Sequence, residues 1–132
     1  MSSDNEKLIE LAKKVRDRAH AAYSGFHVGA ALRDERGDLY TGCNVENASF
    51  PEGSCAEANA IGAMIAAGGK RIEAIAVVGG HTQLEDCSPC GGCRQRIREF
   101  ANDDTRIIVL DAGGEFVEYG IDDLLPMSFQ LK

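Results

Sequence analysis

No stretch of this sequence approaches the roughly twenty consecutive apolar residues that a bilayer-spanning helix needs, and the amino-terminal MSSDNEKLIE has no apolar core of a signal peptide. A cytoplasmic protein without a membrane partner is therefore expected. Positive charge is also in deficit: 14 Lys and Arg stand against 21 Asp and Glu, for a formal net charge of -7. Such a surface repels polyanions unless a local basic patch offsets it. The densest basic stretches, Lys13 to Arg18 and Arg94 to Arg98, contain acids or lie at helical spacing and read as solvated helix faces, so no nucleic-acid partner is expected. Linkers, repeats and low-complexity segments are missing as well. That leaves one domain over residues 1–132, long enough to bury roughly two thirds of its unfolded surface without disulfide staples.

Five cysteines are an odd number for a disulfide framework, and in a reducing compartment they stay thiols or bind metal. The three histidines, His20, His27 and His81, fall at no ligand spacing and receive no role. Gly68-Gly69-Lys70 lacks the spacing and the following Ser or Thr of a phosphate loop. Hydrophobic residues at 44% and charged residues at 27% are the balance of a folded globular chain, not a disordered one.

Apolar residues at Leu8, Leu11, Ala12, Val15, Ala19 and Ala22 recur at helical spacing and predict an amphipathic helix from Asp4 to Ala22, capped by Ser3 or Asp4. Val28 to Arg33 and Leu39 to Val45 predict a hairpin that turns at Asp34-Glu35-Arg36-Gly37. A second helix, apolar on nearly every face and so expected to be buried, starts at Ser54, whose hydroxyl is placed to cap it, and stops at Gly68-Gly69. Ile72 to Val78 predicts a fully buried strand, and Pro89 opens a third helix that reaches about to Phe100. Arg106 to Leu110 and Glu115 to Tyr119 are further strands, followed by a helical turn from Ile121 to Leu125. Helices alternating with strands define an α/β fold, a layered sheet with helices on its faces.

Two cysteine groups fall at predicted helix starts: Cys55 in Ser54-Cys55-Ala56-Glu57, and Cys90 with Cys93 in Pro89-Cys90-Gly91-Gly92-Cys93. Unpaired N–H groups and the positive dipole end lower a thiol's pKa there, and C-x-x-C spacing lets two sulfurs reach one ion from a single turn. Three thiolates leave the fourth tetrahedral position to water, which distinguishes a catalytic zinc site from a closed structural one. Glu57, two residues beyond Cys55, is placed to serve such a water as acid and base without ligating the metal. A Cys or His followed two positions later by Glu, and then P-C-x-x-C, is the arrangement of zinc nucleobase deaminases.

Over nearly its whole length the chain resembles the cytidine deaminases of the short, homotetrameric, zinc-dependent type. Ala22-Tyr23-Ser24, Phe26 and Val28-Gly29-Ala30-Ala31-Leu32 are similar to the family's first strand, and Gly42-Cys43-Asn44-Val45-Glu46-Asn47-Ala48 to its sugar-binding segment. Ser54-Cys55-Ala56-Glu57 and Ser88-Pro89-Cys90-Gly91-Gly92-Cys93-Arg94-Gln95 are similar to its metal and catalytic motifs. The resemblance implies a three-layer α-β-α fold with a mixed five-stranded sheet, one Zn2+ per subunit on Cys55, Cys90 and Cys93, and Glu57 as the proton carrier. It implies hydrolysis of cytidine or deoxycytidine to uridine or deoxyuridine plus ammonia. Phe26 would then lie beside the bound nucleoside, Asn44 and Glu46 on the ribose 3′-hydroxyl, and the backbones of Ala56 and Ser88 on the base and the leaving amine. Leu124-Leu125-Pro126 followed by Phe129 is similar to a family tail whose phenylalanine stacks on the pyrimidine in a neighbouring subunit's site.

Ala58 departs from the pattern, for many short-type members carry arginine there to offset the thiolate charge. Three thiolates on Zn2+ leave a net negative centre that raises the pKa of the water, and Arg94 with the two helix dipoles is expected to offset it. Other readings stay open. Blasticidin S or another aminated nucleoside is a rival substrate, since related deaminases share the metal motifs. Cys90 and Cys93 alone match a redox dithiol, and Cys87, Cys90 and Cys93 together imitate an iron–sulfur run. A fourth ligand such as Cys87 or Cys43 would close a structural zinc site, although both are expected to be ordinary thiols near the core.

Overall fold

The computed structural model describes residues 1–131. In chain order it runs α1 (Ser3–Arg16), β1 (His27–Asp34), β2 (Leu39–Cys43), a 3-10 turn (Phe50–Glu52), α2 (Ala56–Ala66), β3 (Ile72–Gly80), α3 (Gly91–Glu99), β4 (Arg106–Leu110), β5 (Phe116–Tyr119) and α4 (Ile121–Leu124). The strands form a sheet in the order β2-β1-β3-β4-β5. It is mixed, as expected: β3 and β4 run parallel and the other neighbouring pairs antiparallel. The parallel pair is the one joined through a crossover helix, α3.

Period-two alternation divides the strand residues between two layers. Ala74, Ala76 and Val78 of β3 pack with Leu8, Ile9 and Ala12 of α1, together with Ala31 and Ile108. Ile75 and Val77 pack with Ala56, Ala60, Ile61 and Met64 of α2, Ile97 of α3 and Ile121 of α4. Helices therefore cover both faces, giving the three layers α-β-α, and β3 reads as an unbroken apolar run because neither of its faces meets water. α2 lies directly on β2: a Cβ at Gly42 would fall 2.5 Å from both the Ala56 carbonyl oxygen and the Ala60 nitrogen. Only glycine permits that approach, which holds the start of α2 against the sheet. Among the described residues no helix is long and apolar enough to cross a membrane.

Several element ends differ from the sequence expectation, each for a tertiary reason. Ser2, not Ser3 or Asp4, caps α1, its hydroxyl accepting from the Asn5 N–H at 3.2 Å. α1 ends at Arg16 instead of Ala22. The Arg16 guanidinium donates to the carbonyl oxygens of His27 and Gly80 at 3.2 and 2.9 Å, and His20 is drawn into a bridge with Val45, which overrides the helical spacing of Ala19 and Ala22. β2 stops at Cys43 because the Asn44 carbonyl accepts from the His20 N–H and Val45 pairs with Ser54. Ser54 does not cap α2; its hydroxyl accepts from Asn59 Nδ2 at 3.1 Å, and Cys55 is the cap residue. Nor is α2 buried on every face, for Ile65 is 45% exposed. Pro89 precedes α3 instead of opening it, since Cys90 is that helix's cap residue.

The predicted hairpin turn is present, with Gly37 at φ 84° and its N–H bonded to the Asp34 carbonyl at 3.0 Å. Asp34 is fully buried. Its carboxylate accepts from the N–H groups of Arg36 and Asp38 at 2.9 and 3.0 Å and from the Arg36 guanidinium at 3.0 Å. Arg36 also reaches the Ala67 carbonyl at 3.3 Å, tying the hairpin to the end of α2. Burial alone would raise the Asp34 pKa, but the Asp38 N–H, the Arg36 guanidinium and the Arg36 N–H together outweigh it and hold the carboxyl below the ordinary Asp value. Because the folded-state pKa is depressed, the stabilisation exists above the unfolded value and disappears as pH falls through the folded one. Asp34→Asn is expected to lose about 1–2 kcal/mol at pH 7, a charged hydrogen bond discounted for the half-exposed arginine. Urea unfolding of the two proteins should converge in acid, and a gap independent of pH would contradict the assignment.

Candidate metal centre and active site

Cys55 and Cys90 cap α2 and α3 in extended backbone, at φ -84°, ψ 153° and φ -65°, ψ 167°. The first-turn amide N–H groups and the positive dipole end of each helix face the region of these sulfurs. Cys93 sits within α3 and is fully buried. Hydrogen bonds fix both approaches. Val45 and Ser54 exchange backbone bonds at 3.0 and 2.9 Å, and Asn59 Nδ2 donates to the Cys43 carbonyl at 2.8 Å, pinning the start of α2 to the end of β2. The Cys87 N–H donates to the Leu110 carbonyl at 3.2 Å, anchoring the segment before α3 to β4.

The outcome is that the sulfurs of Cys55, Cys90 and Cys93 all lie within 4.8 Å of one another. Tetrahedral coordination at about 2.3 Å places sulfurs about 3.8 Å apart, so a small contraction suffices to hold one ion. Among the described residues no fourth His, Cys, Asp or Glu atom joins this mutual set. Cys87 lines the same space without joining the set: its sulfur would lie 2.9 Å from a Cβ on Gly79, beside the Phe26 ring, and burial pushes its thiol up to about 11. The iron–sulfur run is therefore not assembled, and the Cys90/Cys93 pair meets Cys55 in its place.

A cavity of about 350 Å³ opens onto the cluster, within the range of small-molecule sites. Of the expected residues, Phe26, Asn44, Glu46, Cys55, Ala56, Glu57, Cys90 and Cys93 all line it. Phe129 does not; it is 68% exposed, its carbonyl accepting from Gln95 Nε2 at 3.0 Å along α3. Asn44 uses Oδ1 to accept from the Val28 N–H and Nδ2 to donate to the Phe26 carbonyl, both at 2.8 Å, and so fixes the Phe26 wall. Glu46 accepts from the Tyr23 and Ser24 N–H groups at 2.9 and 3.0 Å and from the Ser24 hydroxyl. The Ser24 hydroxyl first, then the two N–H groups, hold its carboxyl below the ordinary value.

Glu57 is 4% exposed. Burial raises its pKa, against the opposing effects of its own N–H, the Cys93 thiol and the charge of Arg96. Burial, followed by the negative charges of Glu57 and Cys55, pushes the Cys93 thiol up, whereas the Cys93 N–H holds the Cys90 thiol down. Three sulfurs gathered beside a buried carboxyl are a donor set that a divalent cation stabilises, since it favours every thiolate at once.

Arg94, expected to offset the thiolate charge, is directed away from it. Its guanidinium donates to the Pro89 and Leu124 carbonyls at 2.8 Å each and to the Ser88 hydroxyl at 3.2 Å. Arg96, which sequence reasoning passed over, instead places Nη1 3.4 Å from the Cys93 sulfur. The signal was available, because residues three apart share a helix face and adjacent ones do not. Asn59 was missed too, and no spacing rule marks it.

Three sulfurs able to hold one divalent ion beside a buried carboxyl, opening on a small-molecule cavity of an α-β-α scaffold, define a metal-dependent hydrolytic enzyme. Residues 2–110 match the family model for the cytidine and deoxycytidylate deaminase zinc-binding region. A cytidine deaminase from Sporosarcina psychrophila is 40% identical over 126 residues, covering 96% of this chain and 91% of that protein. The crystal structure of cytidine deaminase from Burkholderia pseudomallei superposes with a TM-score of 0.85 at 40% identity, over 98% of this chain and 100% of that one. A blasticidin-S deaminase from Bacillus cereus is 31% identical over 141 residues, covering 98% of this chain and 94% of that protein. The chain belongs to the cytidine and deoxycytidylate deaminase family, and its cofactor is zinc.

Proposed function

We propose that the chain, folding as one domain over residues 1–132, hydrolyses free cytidine or deoxycytidine to uridine or deoxyuridine and ammonia. The observation that carries this reading is that the sulfurs of Cys55, Cys90 and Cys93 and the buried Glu57 border one cavity. Those three thiolates would hold Zn2+, which supplies the Lewis acidity that brings the ionisation of water toward neutral pH. Glu57 takes one proton from the attacking water and gives it to ring N3, then takes the second from the resulting C4 hydroxyl and gives it to the amine as the C4–N bond breaks. The water oxygen stays on C4 and the amine departs as ammonia. Burial raises the Glu57 pKa, which makes its carboxylate a stronger base toward the water's proton.

Phe26 walls the base, and the backbones of Ala56 and Ser88 take the base edge and the amine. Asn44 and Glu46 bind the 3′-hydroxyl, each having hydrogen-bonding capacity beyond its partners within the chain. A cytoplasmic setting accords with five cysteines that are all free. The assembly is read as a homotetramer. Phe129 lies outside its own cavity at 68% exposure, and Phe50 and Met127 are exposed apolar surface of the kind a neighbouring subunit covers. Phe129 would then complete the neighbour's site, and light scattering that finds a monomer would refute this arrangement.

A spectrophotometric assay on zinc-loaded protein tests the activity. Cytidine or deoxycytidine should be converted with release of ammonia, and a chelator should abolish conversion. Glu57→Gln should keep zinc and fold while losing at least about a hundredfold in turnover, the usual scale of a positioned acid–base group. Turnover of the variant near that of the parent would refute the role of Glu57. Deamination of blasticidin S with neither cytidine nor deoxycytidine converted would refute the substrate.

A further inference from the structure

We propose that Arg96 supplies the positive charge that balances the three-thiolate centre, replacing from α3 the cation that Ala58 leaves out of α2. This inference rests on the zinc reading above. Three thiolates against one Zn2+ leave a centre with net negative charge, and Glu57 adds to it whenever that carboxyl is ionised. α2, which carries Glu57 and begins beside Cys55, has no Lys or Arg from Ala56 to Ala66. α3 has three arginines, and their partners differ. Arg94 is engaged by two carbonyls and the Ser88 hydroxyl, and Arg98 donates to Gln130 Oε1 at 3.0 Å. Only Arg96 is aimed at sulfur, with Nη1 at 3.4 Å from Cys93. Among the described residues it has no carboxylate partner to neutralise it.

Two further features fit the assignment. Cys93 is fully buried, so its thiolate is the one that solvent screens least. Gly92 leaves the path clear: a Cβ there would lie 3.4 Å from Arg96 Nη1 and 3.9 Å from the Cys90 sulfur, so the guanidinium and a second sulfur border the same side of the helix. An N–H directed at a thiolate is a charge-assisted hydrogen bond and draws charge off the ligating sulfur. The bond strengthens only when the sulfur is ionised, so Arg96 acts on the metal-loaded state and has little to hold in the metal-free one. It is a positioning and charge-balancing residue, and it touches neither substrate nor reacting atoms.

Zinc competition with a chromophoric chelator tests this on the zinc-loaded protein and its Arg96→Gln and Arg96→Lys variants, with thermal melts of the metal-stripped forms alongside. Arg96→Gln should lose zinc affinity by about ten- to a hundredfold, the range for groups that support metal ligands. Arg96→Lys should fall between that variant and the parent, and the metal-stripped melts should coincide. Equal affinity of Arg96→Gln and the parent would overturn the proposal. So would a lysine variant as weak as the glutamine one, or metal-stripped melts that fall in step with zinc affinity, for these mark a packing role. A parent protein that takes up no zinc would refute the catalytic reading itself, an outcome distinct from a zinc-binding parent matched by Arg96→Gln.

Discussion

Groups that lose protons to become anions resist being gathered in a buried space, yet here three thiols lie within 4.8 Å of one another beside a carboxyl that is 4% exposed. Without a cation, burial and then the negative charges of Glu57 and Cys55 raise Cys93, and burial raises Glu57. The fold sustains this arrangement because the groups do not depend on one loop. Cys55 caps a helix held on β2 through the Gly42 contact, and Cys90 caps a helix anchored to the end of β4. Two positive helix ends and one guanidinium surround the cluster, and a divalent ion completes the balance.

The cavity wall serves two purposes with the same residues. Asn44 clamps the backbone on either side of His27, and Glu46 gathers the Tyr23 and Ser24 N–H groups, so the segment before β1 is shaped by the polar groups that border the ligand space. A side chain held by backbone donors loses little freedom when a ligand arrives, so less entropy opposes binding. The same hydrogen bonds keep Glu46 ionised, an acceptor-only carboxylate on the cavity wall.

Much of this was legible in the sequence because it depended on local spacing. Cys-x-Glu and Pro-Cys-x-x-Cys each describe a single helix start, and the apolar run of β3 reports a strand covered on both faces. What escaped depended on distant partners. The end of α1 is set by Arg16 reaching His27 and Gly80, and by His20 pairing with Val45, none of which leaves a trace in helical periodicity. Ser54 looked like a cap because serine favours that position, but its hydroxyl is taken by Asn59 and Cys55 stands at the cap. α2 is apolar nearly all round yet exposes Ile65, and composition alone does not say which of its faces the chain buries. The choice between Arg94 and Arg96 turned on spacing from Cys93, for a residue three positions along a helix shares its face and an adjacent one does not.

On the zinc reading proposed above, Cys55, Cys90 and Cys93 hold one ion and leave its fourth position to solvent. Zinc-edge X-ray absorption of the purified protein measures this directly. Three sulfur scatterers at about 2.3 Å and one oxygen at about 2.0–2.2 Å are expected. Four sulfurs, which would bring in Cys87 or Cys43, or fewer than three, would contradict it.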